Sequence, residues 1–178
     1  MRTKIYAAAV LALAALVQSG CGYSLAGRGS FLPAYIKRIG VPQFTNNTAV
    51  FDLDRRVTEK VRSEFIGRGK YTIVPDTTGV DGVLTGVITS YTLTPVAFNA
   101  AQQATRYAYT LSASVEFKDM HTNKVLWANP SMQYREEASL DPTSAVDTNA
   151  FLGQDINAQE RMANEFARAL VSAILEAF

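Results

Sequence analysis

The sequence predicts an α+β fold: two helices packed on one face of a four- to five-stranded mixed sheet, in the order β-α-β-β-β-β-α. Three observations predict it. Asp52–Ile66 and Gln154–Ala177 carry apolar side chains at helical spacing. Between them, Val83–Phe98 and Tyr107–Lys118 are long runs rich in Thr, Val, Tyr and Ile. A sheet with a polar second face offers only one apolar surface, so both amphipathic helices must share it.

The elements follow in chain order. Tyr35–Phe44 reads as a first strand, closed by the turn signal Asn46-Asn47-Thr48. In Asp52–Ile66, Leu53, Val57, Val61 and Phe65 recur at four-residue steps; acidic residues lead, Arg62 comes late, and Gly67 and Gly69 stop the helix. Tyr71–Val74 is a short strand before Pro75-Asp76, and a strand-helix-strand run of this length implies a right-handed crossover to a parallel neighbour. On the second long run, Tyr107, Tyr109, Leu111, Ala113, Val115 and Phe117 alternate with Arg106, Ala108, Thr110, Ser112, Ser114, Glu116 and Lys118. One face therefore packs on the core and the other meets water or a polar partner. Asp119–Asn123 is a turn. Lys124–Arg135 is a further strand around Trp127, and Pro130, which cannot donate to a ladder, calls for an edge position or a bulge. Ala138–Thr148 is loop-like, and Ala163, Phe166, Leu170 and Ile174 form the stripe of the closing helix. About 15 residues per hairpin strand at roughly 3.3 Å each reach near 50 Å, so the Phe98–Thr105 tip is expected to project beyond the helices.

The N-terminus has the layout of an export signal: Arg2 and Lys4, the apolar run Ile5–Val17, then Gln18-Ser19-Gly20-Cys21. That run holds about 13 residues, against roughly 20 for a helix that crosses a bilayer core. The expected organisation is a signal peptide over 1–20, a lipidated tether over 21–31 with glycines at 22, 27 and 29, and a single domain over 32–178. Ser19 and Gly20 suit close binding by a peptidase, and Cys21 is the expected acceptor of a diacylglycerol and an acyl chain; Gln18 stands where an aliphatic residue is usual. Cys21 is the only cysteine, which excludes disulfides from the rest of the chain. Of the 17 basic residues, Arg2 and Lys4 leave with the signal; 15 then face 16 acidic ones, a net charge of −1. A nucleic-acid binder would need a basic patch, so that class is excluded.

No catalytic motif emerges: there is no Gly-x-Ser-x-Gly elbow, no phosphate loop with its lysine and no paired-histidine metal pattern. His121 lies in a turn with no orienting partner evident, and reads as a solvated residue rather than a base. Glu136 and Glu137 are strand neighbours pointing to opposite faces. Gly27-Arg28-Gly29 lacks the strand and helix that would make it a nucleotide loop. The charges of the first helix, Asp52, Asp54, Arg55, Arg56, Glu59, Lys60, Arg62 and Glu64, form its solvated face. The expectation is a non-enzymatic protein without metal or cofactor beyond the lipid on Cys21.

Four segments together resemble the LptE family of lipopolysaccharide-assembly lipoproteins. They are Cys21-Gly22-Tyr23-Ser24-Leu25; Leu32-Pro33 through Ile36-Lys37-Arg38-Ile39-Gly40-Val41-Pro42 with Phe44 and Asn47; Gly86-Val87-Ile88-Thr89-Ser90-Tyr91 with Thr94-Pro95; and Lys124-Val125-Leu126-Trp127. The resemblance implies an outer-membrane, periplasm-facing lipoprotein that plugs a large β-barrel, LptD, assists its assembly and helps deliver lipopolysaccharide to the outer leaflet. Gly22 after the lipidated cysteine is similar to what outer-membrane sorting requires. Better-known members carry a basic residue in the loop between the long strands, whereas Asn99–Thr105 has none and Arg106 is the nearest cation; for their basic contact after the last strand this chain offers Arg135. The expected lipopolysaccharide or barrel contact is therefore Arg106 with Asn99, Gln102 and Gln103, because a guanidinium suits bidentate phosphate contact. The alternatives are an adaptor lipoprotein of another secretion or appendage machine, and an enzyme with an unmarked site, which would show a deep polar pocket.

Overall fold

The computed structural model describes residues 32–68, 70–139 and 156–177. The expected signal, Cys21 with its tether, and most of the loop after Ala138 lie outside these residues. Among the described residues six strands and two helices follow one another: β1 Arg38–Gly40, β2 Thr45–Asn46, α1 Leu53–Gly67, β3 Thr72–Val74, β4 Gly82–Phe98, β5 Ala104–Asp119, β6 Val125–Ser139 and α2 Ile156–Glu176. The sheet runs β3-β1-β4-β5-β6, with β2 paired to β4. β1 is parallel to both β3 and β4, and β4-β5-β6 form an antiparallel meander.

The single first strand expected over Tyr35–Phe44 is in fact two short strands, which brings the sheet to six rather than four or five. Its break has a local cause. Pro42 has no N–H to donate. The carbonyl of Val41 accepts the Nε and Nη2 of Arg62 at 2.9 and 2.7 Å, and the amide of Phe44 donates to Thr58 Oγ1 at 3.0 Å. Groups that would have joined a ladder are thus taken by α1. The chain re-enters the sheet only as Thr45 and Asn46, parallel to Val87 and Ile88.

Both expected helix stripes face the core. Leu53, Val57, Val61 and Phe65 of α1 are fully buried, as are Ala163, Phe166, Leu170 and Ile174 of α2. The helices run parallel: near their starts Arg56 meets Glu160, and near their ends Arg68 meets Ser172. Asp52, expected to be the first helical residue, instead sits just before it with φ 64°. Tyr109, Leu111, Ala113, Val115 and Phe117 of β5 are buried beneath the pair. On the opposite face Ala108 and Ser112 are also buried, because β5 is the middle strand of the meander and its small side chains are shaded by longer neighbours. Pro130 meets both expectations placed on it: β6 is an edge strand, and the register shift between Ala113 and Val115 puts Pro130 in a bulge.

Gly86 allows a close approach in this core. A Cβ there would overlap the ring of Phe44, which lies buried over β4. Gly86→Ala is expected to destabilise the domain by about 1–3 kcal/mol, the usual range for overpacking. A denaturant midpoint unchanged from the wild type would show that the ring can move aside.

Candidate interaction surface

The β4–β5 hairpin outruns the core. No residue from Thr94 to Tyr107 is buried, and Phe98 at its end is 58% exposed. Asn99 builds the tip: its Oδ1 accepts the amides of Ala101 and Gln103, both at 2.9 Å, and its Nδ2 donates to Gln103 Oε1 at 3.0 Å. Gln102 occupies the left-handed region with φ 62°, closing the turn. Asn99, Gln102 and Gln103 thus lie in one turn. Asn99, however, spends its polar atoms on the loop itself.

Arg106 stands apart from this tip, on β5 and on the face away from the helices. Its Nη1 lies 3.4 Å from Glu137 Oε2, and Arg135 Nη2 lies 3.4 Å from Glu137 Oε1. Two half-exposed guanidiniums thus share one carboxylate, leaving a net positive trio. Arg135 was expected at the end of the last strand; β6 continues to Ser139 and places it on the same open face as Arg106. The register explains the trio: Ala108 faces Glu137 and Thr110 faces Arg135, so all three charges share one parity. Glu136 takes the other parity and receives Arg161 of α2 at 3.1 Å. Sequence reasoning assigned the two glutamates opposite faces but missed Glu137 as the partner of Arg106. The signal was the cross-strand register, which needs the bulge at Pro130 to be counted.

At the opposite end of the meander a second polar cluster ties strands together. Asp81 Oδ2 accepts the amides of Lys37 and Arg38 at 2.9 and 2.8 Å, and its Oδ1 lies 2.9 Å from His121 Nε2. His121 thus has a carboxylate partner, contrary to the sequence reading; the two are forty positions apart, and only the β4–β5 pairing brings them together. The ring is largely exposed and meets Tyr35 edge-on at 5.4 Å between centroids. Tyr35 donates its hydroxyl to Asp119 Oδ2 at 2.6 Å, and Thr122 donates to the same oxygen at 2.7 Å. The backbone amides of Arg38 and Lys37, with His121, bring the Asp81 pKa down to about 2. Hydroxyl donation from Tyr35 and Thr122 brings Asp119 to about 2. These bonds fasten β1 and the β5–β6 turn to the start of β4.

The described residues also form two depressions, of about 480 Å³ beside Asn46–Asp54 and about 380 Å³ beside Leu32–Lys37 and Lys70–Thr72. Neither contains the trio or His121. Among the described residues no group of three His, Cys, Asp or Glu could hold a metal ion, and no helix is long and apolar enough to cross a membrane.

A model of the lipopolysaccharide-assembly family LptE matches residues 36–174. No curated protein matches the chain. Among solved structures, a minor lipoprotein from Acinetobacter baumannii is 14% identical, over 82% of this chain and 94% of that one, with a TM-score of 0.51. Rare lipoprotein B from Shewanella oneidensis is 15% identical, over 79% and 92%, with a TM-score of 0.50. At such identities the two likenesses show a shared fold.

The paired carboxyls generate a pH prediction. Asp81 and Asp119 titrate lower in the folded chain, at about 2, than the roughly 3.9 of an unfolded aspartate. Their contribution to stability is complete above the unfolded value and is lost as pH falls through the folded one. Tm should therefore drop between about pH 4 and about pH 2, and Asp81→Asn with Asp119→Asn should flatten that drop. Identical slopes in wild type and variant would show that neither carboxyl carries the dependence.

Proposed function

Since the chain belongs to the LptE lipopolysaccharide-assembly family, we propose that it is a lipid-anchored, non-enzymatic protein of the outer membrane's periplasmic face. It plugs an LptD-like β-barrel, assists that barrel's assembly and helps deliver lipopolysaccharide to the outer leaflet. The observation that carries this reading is the family match over nearly the whole folded domain, residues 36–174. The geometry supports it in kind: the hairpin tip is exposed and carries Phe98 at its end. In this reading the diacylglycerol and acyl chains on Cys21 hold the domain at the membrane, since several chains anchor durably where one holds only marginally.

The lipopolysaccharide contact proposed is the positive trio with the tip. Arg106 and Arg135 present guanidiniums that a lipid A phosphate could draw from Glu137, because charge-assisted bidentate contacts to phosphate are strong. Gln102 and Gln103 add uncharged donors at the hairpin tip itself, with Asn99 shaping the loop that presents them.

Two measurements check these statements. Purification of the lipidated protein from solubilised outer membrane should bring an LptD-like barrel with it; a different ring or channel arriving instead would replace this reading with that of an adaptor. Arg106→Ala should lower lipopolysaccharide capture by about three- to tenfold while the barrel still co-purifies, and Glu137→Gln should raise it. Unaltered capture in Arg106→Ala would remove that residue from the contact.

A further inference from the structure

We propose that the end of the domain where β1, β3 and β4 begin rests on anionic phospholipid headgroups of the leaflet that holds the Cys21 lipid, before a barrel is engaged. The proposal rests on the lipid-anchor part of the reading above and names a second attachment for the anchored chain.

Charge is spread unevenly over the molecule. Among the described residues, the lysines and arginines that meet neither a carboxylate nor, like Arg62, a carbonyl are Lys37, Arg38, Lys70, Lys118 and Lys124. All of them lie at this one end. Backbone bonds set the strand ends in a row: Thr72 donates its amide to the Lys37 carbonyl, Asp81 to that of Arg38 and Met120 to that of Asp81, each at 2.8 Å, and Asp119 donates to Lys124 at 2.9 Å. Lys70 shortly precedes Thr72, and Lys118 directly precedes Asp119. Lys37, Arg38, Lys70 and Lys124 are exposed. Against them stand Asp81, Asp119 and, at the end of α2, Glu176, with Asp76 further up beside Gly40. Asp81 and Asp119 spend their oxygens on amide, hydroxyl and imidazole donors, and the balance of the row is positive.

Apolar side chains are interleaved with these cations. Tyr35 is exposed beside Lys37, Ile66 ends α1 shortly before Lys70, and Met120 and Val125 flank the turn that carries Lys124. The depression of about 380 Å³ between Lys37 and Lys70 has buried Leu32 and Ile36 in its wall. Cations alone suit any polyanion. Cations mixed with an exposed tyrosine and aliphatic groups suit the headgroup boundary, where charge meets phosphate and the apolar parts enter the acyl region. That mixture favours a lipid surface over a soluble polyanion.

The course of the chain brings the leaflet to the same end. Leu32 enters the domain just before the row, and the stretch from Cys21 to Leu32 reaches at most about 40 Å when fully extended. No acidic residue occurs from Cys21 to Phe51, whereas Arg28, Lys37 and Arg38 do. Basic groups beside a lipid form a second signal, since each adds to the hold of the acyl chains on an anionic surface. In this posture the hairpin tip, at the opposite end of β4, points away from the leaflet and is open to an incoming barrel.

The test is sedimentation of the processed chain, residues 21–178 with Cys21→Ser, with vesicles of phosphatidylcholine alone or mixed with phosphatidylglycerol. Without the lipid, only protein surface can bind. Binding to the mixed vesicles should be about a hundredfold tighter and should weaken as salt rises. Lys37→Gln, Lys70→Gln and Lys124→Gln together should remove that preference, at about fivefold per charge. Lys60→Gln, which breaks an exposed pair with Glu160 away from the row, should leave it intact. Equal binding to both vesicles, or an unchanged preference in the folded triple variant, overturns the proposal; should the variant fail to fold, a wild-type preference indifferent to salt overturns it instead. A preference for vesicles carrying lipopolysaccharide but not for phosphatidylglycerol assigns the row to that lipid and overturns the proposal as well. The mass of the chain taken from membranes reads the anchor independently. Lipid on Cys21 without anionic preference overturns this proposal alone, whereas a chain without lipid overturns the anchor reading and this proposal with it.

Discussion

The junction from Val41 to Phe44 determines how the rest of the molecule is arranged. Arg62 draws the Val41 carbonyl out of the ladder, Thr58 takes the Phe44 amide, and the Phe44 ring settles over Gly86. Those contacts seat α1 on the sheet against the chain between β1 and β2. They also end the parallel part of the sheet at Ile88, because the chain leaves for the helix immediately after Asn47. Among the described residues, what lies above Ile88 is the antiparallel β4-β5-β6 ribbon. The projecting half of the hairpin is thus a consequence of where a proline and two side chains stop a strand.

This division gives the domain two ends of different chemistry. At the lower end Asp81 and Asp119 accept a dense set of backbone, hydroxyl and imidazole donors, and strand ends are fastened to one another. At the upper end the backbone emerges from the core, and the Arg106–Glu137–Arg135 trio supplies the charged groups of the open face there. A base fastened by hydrogen bonds and an exposed, nearly uncharged extension suit the contact role proposed above. The buried meander carries the rigidity, since β5 contributes side chains from Tyr109 to Phe117 beneath both helices.

Much of this was legible in one dimension. The four-residue steps of Leu53 to Phe65 and the stripe from Ala163 to Ile174 identified both helices, and the alternation of Tyr107 to Phe117 identified the core face of β5. Pro130 called for an edge or a bulge from its missing N–H alone, and it has both. The split of the first strand was not legible, because Arg62 and Thr58 compete for its backbone from about twenty and fourteen positions away. Arg106 was chosen as a cation by its place near the tip, but its sharing of Glu137 with Arg135 depended on register across β5 and β6. His121 likewise acquired its carboxylate only when β4 and β5 closed over forty positions.

By itself the sequence determined what depends on periodicity and local chemistry: two helices on one face of a sheet, a long uncharged hairpin, the turn residues, and membership of a family through segments in a fixed order. Side-chain period and missing donors act over a few residues, so they can be read without a structure. Tertiary structure alone decided which charges meet, where the first strand breaks and in what order the strands lie in the sheet. Each of those depends on register and on competition for backbone hydrogen bonds between distant segments, and a single slip of one residue would have reversed the faces.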